Sequence, residues 1–168
     1  MTEQIPTTDN DTLLRFDSRD QAAKLALELI NQARHEICFF GPLIDPVLFD
    51  NESAYEALSE FARRSPRTHI RIVVLDTQKN VINSHRLLPL AQKLTSSIEI
   101  HIAANKHHDL RQQFMLVDSR SYLFCPVAER YQGRAELNAP AAVKEMQKEF
   151  EEIWNQSKPD INSRRLNL

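Results

Sequence analysis

The sequence predicts an α/β fold, with a mixed, mostly parallel β-sheet covered by helices on both faces. Three observations lead to this prediction. Four segments carry apolar residues at helical spacing, and five shorter segments are apolar or alternate in polarity. Over most of the chain these segments alternate, as they do where crossover helices connect parallel strands. The last two strand segments are separated by a short turn, which predicts a hairpin and makes the sheet mixed.

The first helix is predicted to begin after Ser18, where the sequence Ser-Arg-Asp-Gln forms a capping box. The apolar residues that follow return every three or four positions, which gives the helix one apolar face. A short apolar strand is expected over 36–41, ended by Gly41 and by two prolines that break regular structure beyond it. A second helix covers about 52–64, and Pro66 lies just past its end.

The middle of the chain repeats this alternation. Residues 69–76 begin with alternating polarity and end apolar on both faces, which is typical of a central strand. A third helix is predicted over about 85–95, with Pro89 either in its first turn or at a bend. Residues 97–102 then alternate strictly between isoleucine and polar side chains, which predicts a strand with one buried face.

The last third of the chain predicts a hairpin and a final helix. Two apolar segments, 113–117 and 122–127, flank the polar residues 118–121, so the two strands are expected to pair across a four-residue turn. The final helix begins near Pro140 and carries an apolar face that ends at Trp154.

Length and composition bound the class of protein. A chain of 168 residues fits one domain, predicted over 17–157, between a flexible N-terminal arm (1–16) and a polar tail (158–168). The net charge of -2 gives no general attraction to nucleic acid or acidic lipid. The chain has 2 glycines, against about 7% in average proteins. This scarcity excludes the glycine-rich loops that bind nucleotide phosphates, and no cofactor is predicted.

The sequence also gives an expectation for the compartment. The N-terminal residues are polar and acidic, without the basic and apolar regions of a secretory signal. The longest apolar runs are far too short to span a bilayer. We therefore expect a cytoplasmic protein. Cys38 and Cys125 lie in apolar segments and are expected to be buried, reduced thiols.

Four segments, in this order, resemble one half of the phospholipase D superfamily fold. They are a helix-to-strand junction, a helix with the strand after it, a Phe-Met-Leu-Val-Asp strand and turn, and a closing Phe-x-x-x-Trp helix (29–37, 57–76, 114–118 and 150–154). The chain also resembles a bacterial domain of unknown function in this superfamily, which occurs alone or fused behind acetyltransferase domains. That resemblance implies an accessory role. Single-copy members of the superfamily are expected to pair two halves, so the resemblance also implies a homodimer.

The catalytic signature of the superfamily, His-x-Lys-x-x-x-x-Asp, aligns on Asp118. This alignment places Arg111 at the histidine position and Gln113 at the lysine position. A guanidinium stays protonated in proteins, so it cannot replace an imidazole as the nucleophile. The Gly-Ser-x-Asn motif that follows in the superfamily falls on 125–128 and is absent. Asp118 is expected to be structural, with its side chain capping local backbone amides in a turn.

The resemblance and these replacements together imply a catalytically inactive domain that acts as a binding or regulatory module. Its expected partner is an anionic small molecule or another protein. One alternative is a divergent phosphodiesterase or other hydrolase that uses His107 or His108. The other is a nucleic-acid-binding accessory protein, although the arginines clustered over 63–71 lack the interleaved aromatic residues of such surfaces.

The candidate ligand-binding residues come from a predicted helix start and from the polar stretch before the hairpin. They are His85, Arg86, His107, His108, Arg111 and Gln113. The alternative is that these segments are a capped helix with an exposed basic pair and a solvated loop. His101, His107, His108 and Asp109 lack the spacing of zinc ligands, so no metal site is predicted. Tyr131, with Arg130 and Arg134, is expected on an exposed recognition loop.

Overall fold

The computed structural model describes residues 13–164, which form one eight-stranded sheet with six α-helices. The strands are β1 (Leu13–Phe16), β2 (Glu36–Gly41), β3 (His69–Val74), β4 (Ile98–Ile102), β5 (Gln113–Val117), β6 (Ser121–Cys125), β7 (Gly133–Glu136) and β8 (Lys158–Pro159). The helices are α1 (Arg19–Gln32), α2 (Pro46–Phe49), α3 (Glu52–Arg64), α4 (Gln78–Ile82), α5 (Leu87–Lys93) and α6 (Pro140–Asn155).

The sheet is mixed, as predicted, but it is mostly antiparallel. Its strand order is β1-β7-β6-β5-β2-β3-β4-β8, and only the β2–β3 and β3–β4 pairs are parallel. The expectation of a mostly parallel sheet was therefore wrong. Helical crossovers join strands that become parallel neighbours only from β2 through β3 to β4. After β4 the connection stays at one end of the sheet, so β5 runs back beside β2 in the antiparallel sense.

Several local signals have the predicted structure. Ser18 caps α1, because its Oγ accepts the backbone N–H of Gln21 at 3.2 Å, and the Gln21 side chain accepts that of Asp17 at 2.9 Å. Pro89 lies in the first turn of α5, where its missing N–H leaves no helical bond unmade. The hairpin of β5 and β6 turns through Asp118, which has a positive φ of 54°.

Three short strands, β1, β7 and β8, were not predicted from the sequence. β1 and β7 form the antiparallel edge of the sheet. Of the arm predicted over 1–16, residues 1–12 lie outside the described residues and 13–16 are β1. Of the tail predicted over 158–168, β8 and a 3-10 turn are described, and 165–168 lie outside the described residues.

The sheet has a hydrophobic core on each face. On one face, buried side chains of β2, β3 and β5 pack against α1, α3 and α5. On the other face, α6 covers the sheet with Val143, Phe150 and Ile153. Helices therefore lie on both faces, as predicted. No helix in the described part of the chain is long and apolar enough to cross a membrane.

An arginine on β3 attaches α6 to the sheet. The Arg71 Nη2 atom lies 2.6 Å from Glu151 of α6, and its Nε lies 3.1 Å from Glu36 of β2. Its guanidinium also lies over the ring of Phe150, at 5.0 Å. The hydrogen bond from Arg71 lowers the pKa of Glu151, while burial raises the pKa of the adjacent Cys38 thiol to about 12. This cluster fixes α6 and contains no reactive thiolate at neutral pH.

Both glycines occupy points of close approach. A Cβ on Gly133 would lie 1.9 Å from the backbone oxygen of Phe124, because β7 lies directly against β6 there. A Cβ on Gly41 would lie 2.8 Å from the ring of Phe39 and 3.2 Å from the Cβ of Gln113. Neither glycine has a positive φ, so the backbone conformation does not require glycine. Glycine is required because there is no room for a Cβ.

Candidate functional site

A cavity of about 460 Å³ lies at the C-terminal ends of the parallel strands β2 and β3, next to the start of β5. Its volume is within the usual range of small-molecule sites. In α/β sheets this end of the strands is where ligands usually bind, because the connecting loops open there. Five buried polar side chains from separate segments meet at its floor: Asp45, Asn80, His85, Gln113 and Tyr131.

Asp45 is the buried carboxylate of the cavity. It caps the short helix α2, with Oδ1 accepting the backbone N–H groups of Val47 at 2.9 Å and Leu48 at 3.0 Å. Its Oδ2 accepts the hydroxyl of Tyr131 at 3.0 Å. Burial raises the pKa of Asp45, and these hydrogen bonds lower it by smaller amounts.

Gln113 is the first residue of β5 and is 1% exposed. Its amide lies near enough to the Asp45 carboxyl and the Cys125 thiol to lower the pKa of each. Neither Oε1 nor Nε2, however, has a hydrogen-bond partner of good geometry among residues 13–164. Buried side-chain amides are normally paired with good geometry, so this amide is an exception.

His85 lies in the segment between α4 and α5 and is also 1% exposed. Its Nδ1 accepts the backbone N–H of Leu87 at 3.1 Å, so the neutral ring carries its hydrogen on Nε2. Burial lowers the pKa of His85, which favours this neutral form, although the charge of Asp50 acts in the opposite direction. A ring in this state has no free lone pair with which to attack a substrate.

Tyr131 adopts a left-handed backbone conformation, with φ 50° and ψ 41°. A bulky residue rarely does so, because its Cβ approaches the backbone, and such strain is concentrated at functional sites. The expectation that Tyr131 is an exposed recognition residue was wrong, since it is 8% exposed and its hydroxyl donates to Asp45. Burial also raises the pKa of Tyr131.

The other predicted ligand-binding residues lie away from the cavity floor. Arg86 is exposed and contacts Asp50 at the rim, with its Nε 3.7 Å from that carboxylate. Arg111 is exposed and does not line the cavity, although its backbone oxygen accepts the N–H of Ala128. His107 contacts the side chain of Gln156 at 3.0 Å, and His108 contacts the backbone oxygen of Ala103 at 3.0 Å. Of the six, only His85 and Gln113 line the cavity.

Asp118 lies at the opposite end of the sheet. Its carboxylate accepts three backbone N–H groups, from Arg34, His35 and Glu36, at 2.8 to 2.9 Å. These amides belong to the junction between α1 and β2 and are distant in sequence, whereas the sequence analysis expected local amides. Within residues 13–164, no group of three or more histidine, cysteine, aspartate or glutamate side chains is arranged to hold a metal ion.

The sequence model of a family described as "Domain of unknown function (DUF7931)" matches residues 18–166. The chain belongs to the DUF7931 family. No curated protein sequence matches it significantly.

Solved structures show which fold the DUF7931 domain shares. It is similar to Nuc, a phospholipase D family member from Salmonella typhimurium, with 16% identity, a TM-score of 0.64, and coverage of 88% of this chain and 97% of that one. NucT from Helicobacter pylori is 11% identical, with a TM-score of 0.61, and the match covers 88% of this chain and 97% of NucT. The predicted phospholipase D-like fold is thereby confirmed, although identities this low show the fold alone.

Two longer proteins contain the same fold. Phosphatidylserine synthase from Haemophilus influenzae Rd KW20 is 13% identical, with a TM-score of 0.66 over 94% of the DUF7931 chain. TrmBL2, described as an archaeal chromatin protein with a novel mode of DNA binding, is 11% identical, with a TM-score of 0.63 over 94% of the chain. The DUF7931 chain spans 40% of the synthase and 56% of TrmBL2.

The sequence analysis missed Asp45, although a signal for its position existed. An aspartate followed by a proline is typical of a helix N-cap with proline at the first helical position. Here that pattern was interpreted only as a break in regular structure, although Asp45 caps α2. Nothing in the sequence signals that Tyr131 donates to a carboxylate 86 residues earlier in the chain.

Proposed function

We propose that this DUF7931 domain is a non-catalytic binding module that holds a small ligand in the cavity between β2, β3 and β5. The observation that carries the proposal is the unpaired Gln113 amide on the cavity floor. It stands at the position that the phospholipase D resemblance assigns to a lysine. A neutral amide there can hydrogen-bond a ligand but cannot supply the positive charge that stabilises a phosphoryl transition state.

The floor of the cavity also offers no nucleophile for covalent phosphoryl transfer. The lone pair of His85 that could attack is occupied by Leu87, and burial raises the pKa of Tyr131 so that its hydroxyl stays protonated. Asp45 already accepts three hydrogen bonds, which lowers its nucleophilicity. Arg111, at the position of the superfamily histidine, lies outside the cavity and stays protonated.

The hydrolase alternative requires His107 or His108 to act. Both follow β4, at the 3-10 turn Asn105–His107 and just beyond it, and neither lines the cavity. His108 donates from Nε2 to a backbone carbonyl, so only its Nδ1 could act as a base, and that ring does not line the cavity. The proposed binding function therefore includes no role for either residue.

The experiment that tests the proposal combines turnover with binding. The wild-type domain is incubated with bis(p-nitrophenyl) phosphate, beside the variants His85→Ala and His108→Ala. We expect equal background release of nitrophenol in all three. Turnover that the wild type shows and either variant loses would contradict a non-catalytic function.

Binding is tested by thermal shift, since a ligand that binds only the folded state raises the melting temperature. The screen covers phosphorylated metabolites, acyl-coenzyme derivatives and small amines. We expect at least one compound to stabilise the wild type but not Gln113→Leu. The matched control is Gln147→Leu, which changes a glutamine of α6 outside the cavity and should keep the ligand response. A response that survives Gln113→Leu would place the ligand elsewhere.

A second candidate function is an accessory role on nucleic acid, favoured by a basic cleft at the opposite end of the sheet. Arg34, Arg64, Arg120 and His35 line this cleft of about 770 Å³, where the carboxylate of Asp118 already accepts three amides. Retention on immobilised duplex DNA would support it if the retention falls steeply with salt and is lost when Arg34 and Arg120 are both changed to glutamine.

Self-association stays a prediction. Light scattering at high protein concentration tests it.

A further inference from the structure

The carboxylate on the cavity floor has no positive partner. Asp45 is 4% exposed, and it accepts hydrogen bonds from two backbone amides and a tyrosine hydroxyl, with the Gln113 amide close by; all of these groups are neutral. It forms no ion pair with a basic side chain within residues 13–164. Buried charges in proteins are normally paired, because an uncompensated charge is costly to remove from water.

The charged side chains at the rim do not supply this partner. Asp50 is paired with Arg86, at 3.7 Å. The Arg19 guanidinium lies over the ring of Tyr131, at 5.4 Å from its centre. The remaining rim charges, Lys79 and Glu129, are opposite in sign, and both side chains are exposed to solvent, which screens them.

The groups around Asp45 complete a site for a hydrogen-bond donor. Gln113 brings an unpaired carbonyl oxygen to the same floor. Pro42, Leu43 and Pro46 provide apolar wall above it. A ligand that fits this arrangement presents a positively charged nitrogen to the floor and a short apolar stem to the wall.

We propose that the cavity binds a small organic cation, a protonated amine or amidinium, whose nitrogen is seated between the Asp45 carboxylate and the Gln113 carbonyl. This inference rests on the proposed binding function and names its ligand class. The proposed ligand is positively charged, whereas the phospholipase D resemblance led us to expect an anion. An anion in the cavity would be repelled by the buried carboxylate. Charge-assisted hydrogen bonds to carboxylate and carbonyl oxygens would give the cation its orientation.

Isothermal titration calorimetry and thermal shift test the proposal with named probes. Benzamidine and putrescine are the cations, and inorganic phosphate and butyrate are the anions. We expect at least one cation to bind and raise the melting temperature of the wild type, and neither anion to do so through the cavity. The variant Asp45→Asn should weaken cation binding at least about tenfold, since it removes a charge-assisted hydrogen bond.

Asp45→Asn is expected to fold, because asparagine caps helices as well as aspartate does. The matched control is Asp109→Asn, an exposed carboxylate outside the cavity, which should bind the cation like the wild type. A second variant, Gln113→Leu, removes the carbonyl acceptor without changing the charge of the cavity, and it should also weaken cation binding. Cation binding that is unchanged in Asp45→Asn would overturn the proposal, and so would failure of both cations to bind.

The outcomes separate this inference from the proposed function. If phosphate or butyrate binds and Gln113→Leu abolishes that binding, the cavity is a binding site but the ligand class is wrong. If the domain turns over a phosphodiester, the proposed function fails, whatever the cations do.

Discussion

Replacing Gln113 with leucine should stabilise the folded domain even though the residue lies in its candidate site. The side chain is fully buried, and neither amide atom has a hydrogen-bond partner of good geometry in the described chain. A buried polar group without a partner costs about 1–3 kcal/mol. Leucine is close to glutamine in size and has no polar atoms to satisfy, so the substitution recovers that cost while it removes the groups that would bind a ligand.

The structure gives a scale for the effect. We count one unsatisfied group, because the amide still interacts with Asp45 nearby, and so expect a gain of about 1–3 kcal/mol in the free energy of unfolding. For a domain of this size, each kcal/mol raises the melting temperature by about 2–4 °C. Calorimetry and urea denaturation of the ligand-free proteins measure both quantities, and the urea midpoint should rise without a change in slope.

The matched control again is Gln147→Leu, whose amide donates to Glu151 at 2.8 Å. Here the substitution removes a hydrogen bond that is made, so stability should fall or stay level. If Gln113→Leu melts below the wild type, the Gln113 amide is paired in solution, through Asp45 or a bound water. The reasoning that identifies this residue as a ligand-binding group would then be refuted.

Three further substitutions test the packing and the electrostatics. Gly133→Ala should lower the free energy of unfolding by about 1–3 kcal/mol or more, because its methyl group meets the backbone oxygen of Phe124. Gly41→Ala should lower it less, because the nearest neighbours there are side-chain atoms. Urea denaturation measures both changes, and a larger loss in Gly41→Ala would contradict the prediction. Arg71→Met should lower the free energy of unfolding by about 1–2 kcal/mol at neutral pH. This is less than for a fully buried ion pair, because the acidic partners of Arg71 are more than one third exposed. Since Arg71 lowers the pKa of Glu151, its contribution is present above the ordinary glutamate pKa of about 4.3 and is lost as the pH falls through the lowered value. The difference between wild type and variant in acid titrations monitored by circular dichroism should therefore shrink on acidification, and a constant difference would show that packing alone is involved.

The elements that the sequence predicts well are those stabilised by local signals. The helix over 52–64 was predicted with the bounds of α3, because its apolar spacing is clear and a proline follows it. The strand over 36–41 was predicted with the bounds of β2, because Gly41 and Pro42 end it.

The sheet order could not be predicted in the same way, because strand pairing is non-local. β5 lies beside β2, which precedes it by more than 70 residues, and nothing in either segment specifies that partner. β7, Gly-Arg-Ala-Glu, shows neither alternation nor an apolar run, and it becomes a strand only because β1 and β6 flank it. Tertiary context therefore decides both the direction of the sheet and its edge.

The candidate site was predictable only in part. Gln113, which the resemblance aligns with the superfamily lysine, lies at the start of β5 and lines the cavity, but its role in binding stays a prediction. The resemblance selected Arg111 as well, but Arg111 precedes β5 in an irregular segment, where strand periodicity does not fix its direction, and it is exposed. Asp45 and Tyr131 are joined by a hydrogen bond between two loops, and no spacing in the sequence reports such a contact.

The carboxylate of Asp118 decides how the chain could be divided. It joins amides that precede it by 82 to 84 residues, so the bond exists only after the hairpin has been added to the parallel strands. A fragment ending before β5 would lack this acceptor and would also leave one side of β2 without a neighbouring strand, which is a template for aggregation. We therefore expect that the three parallel strands do not fold independently, and truncation studies should keep them together with the hairpin.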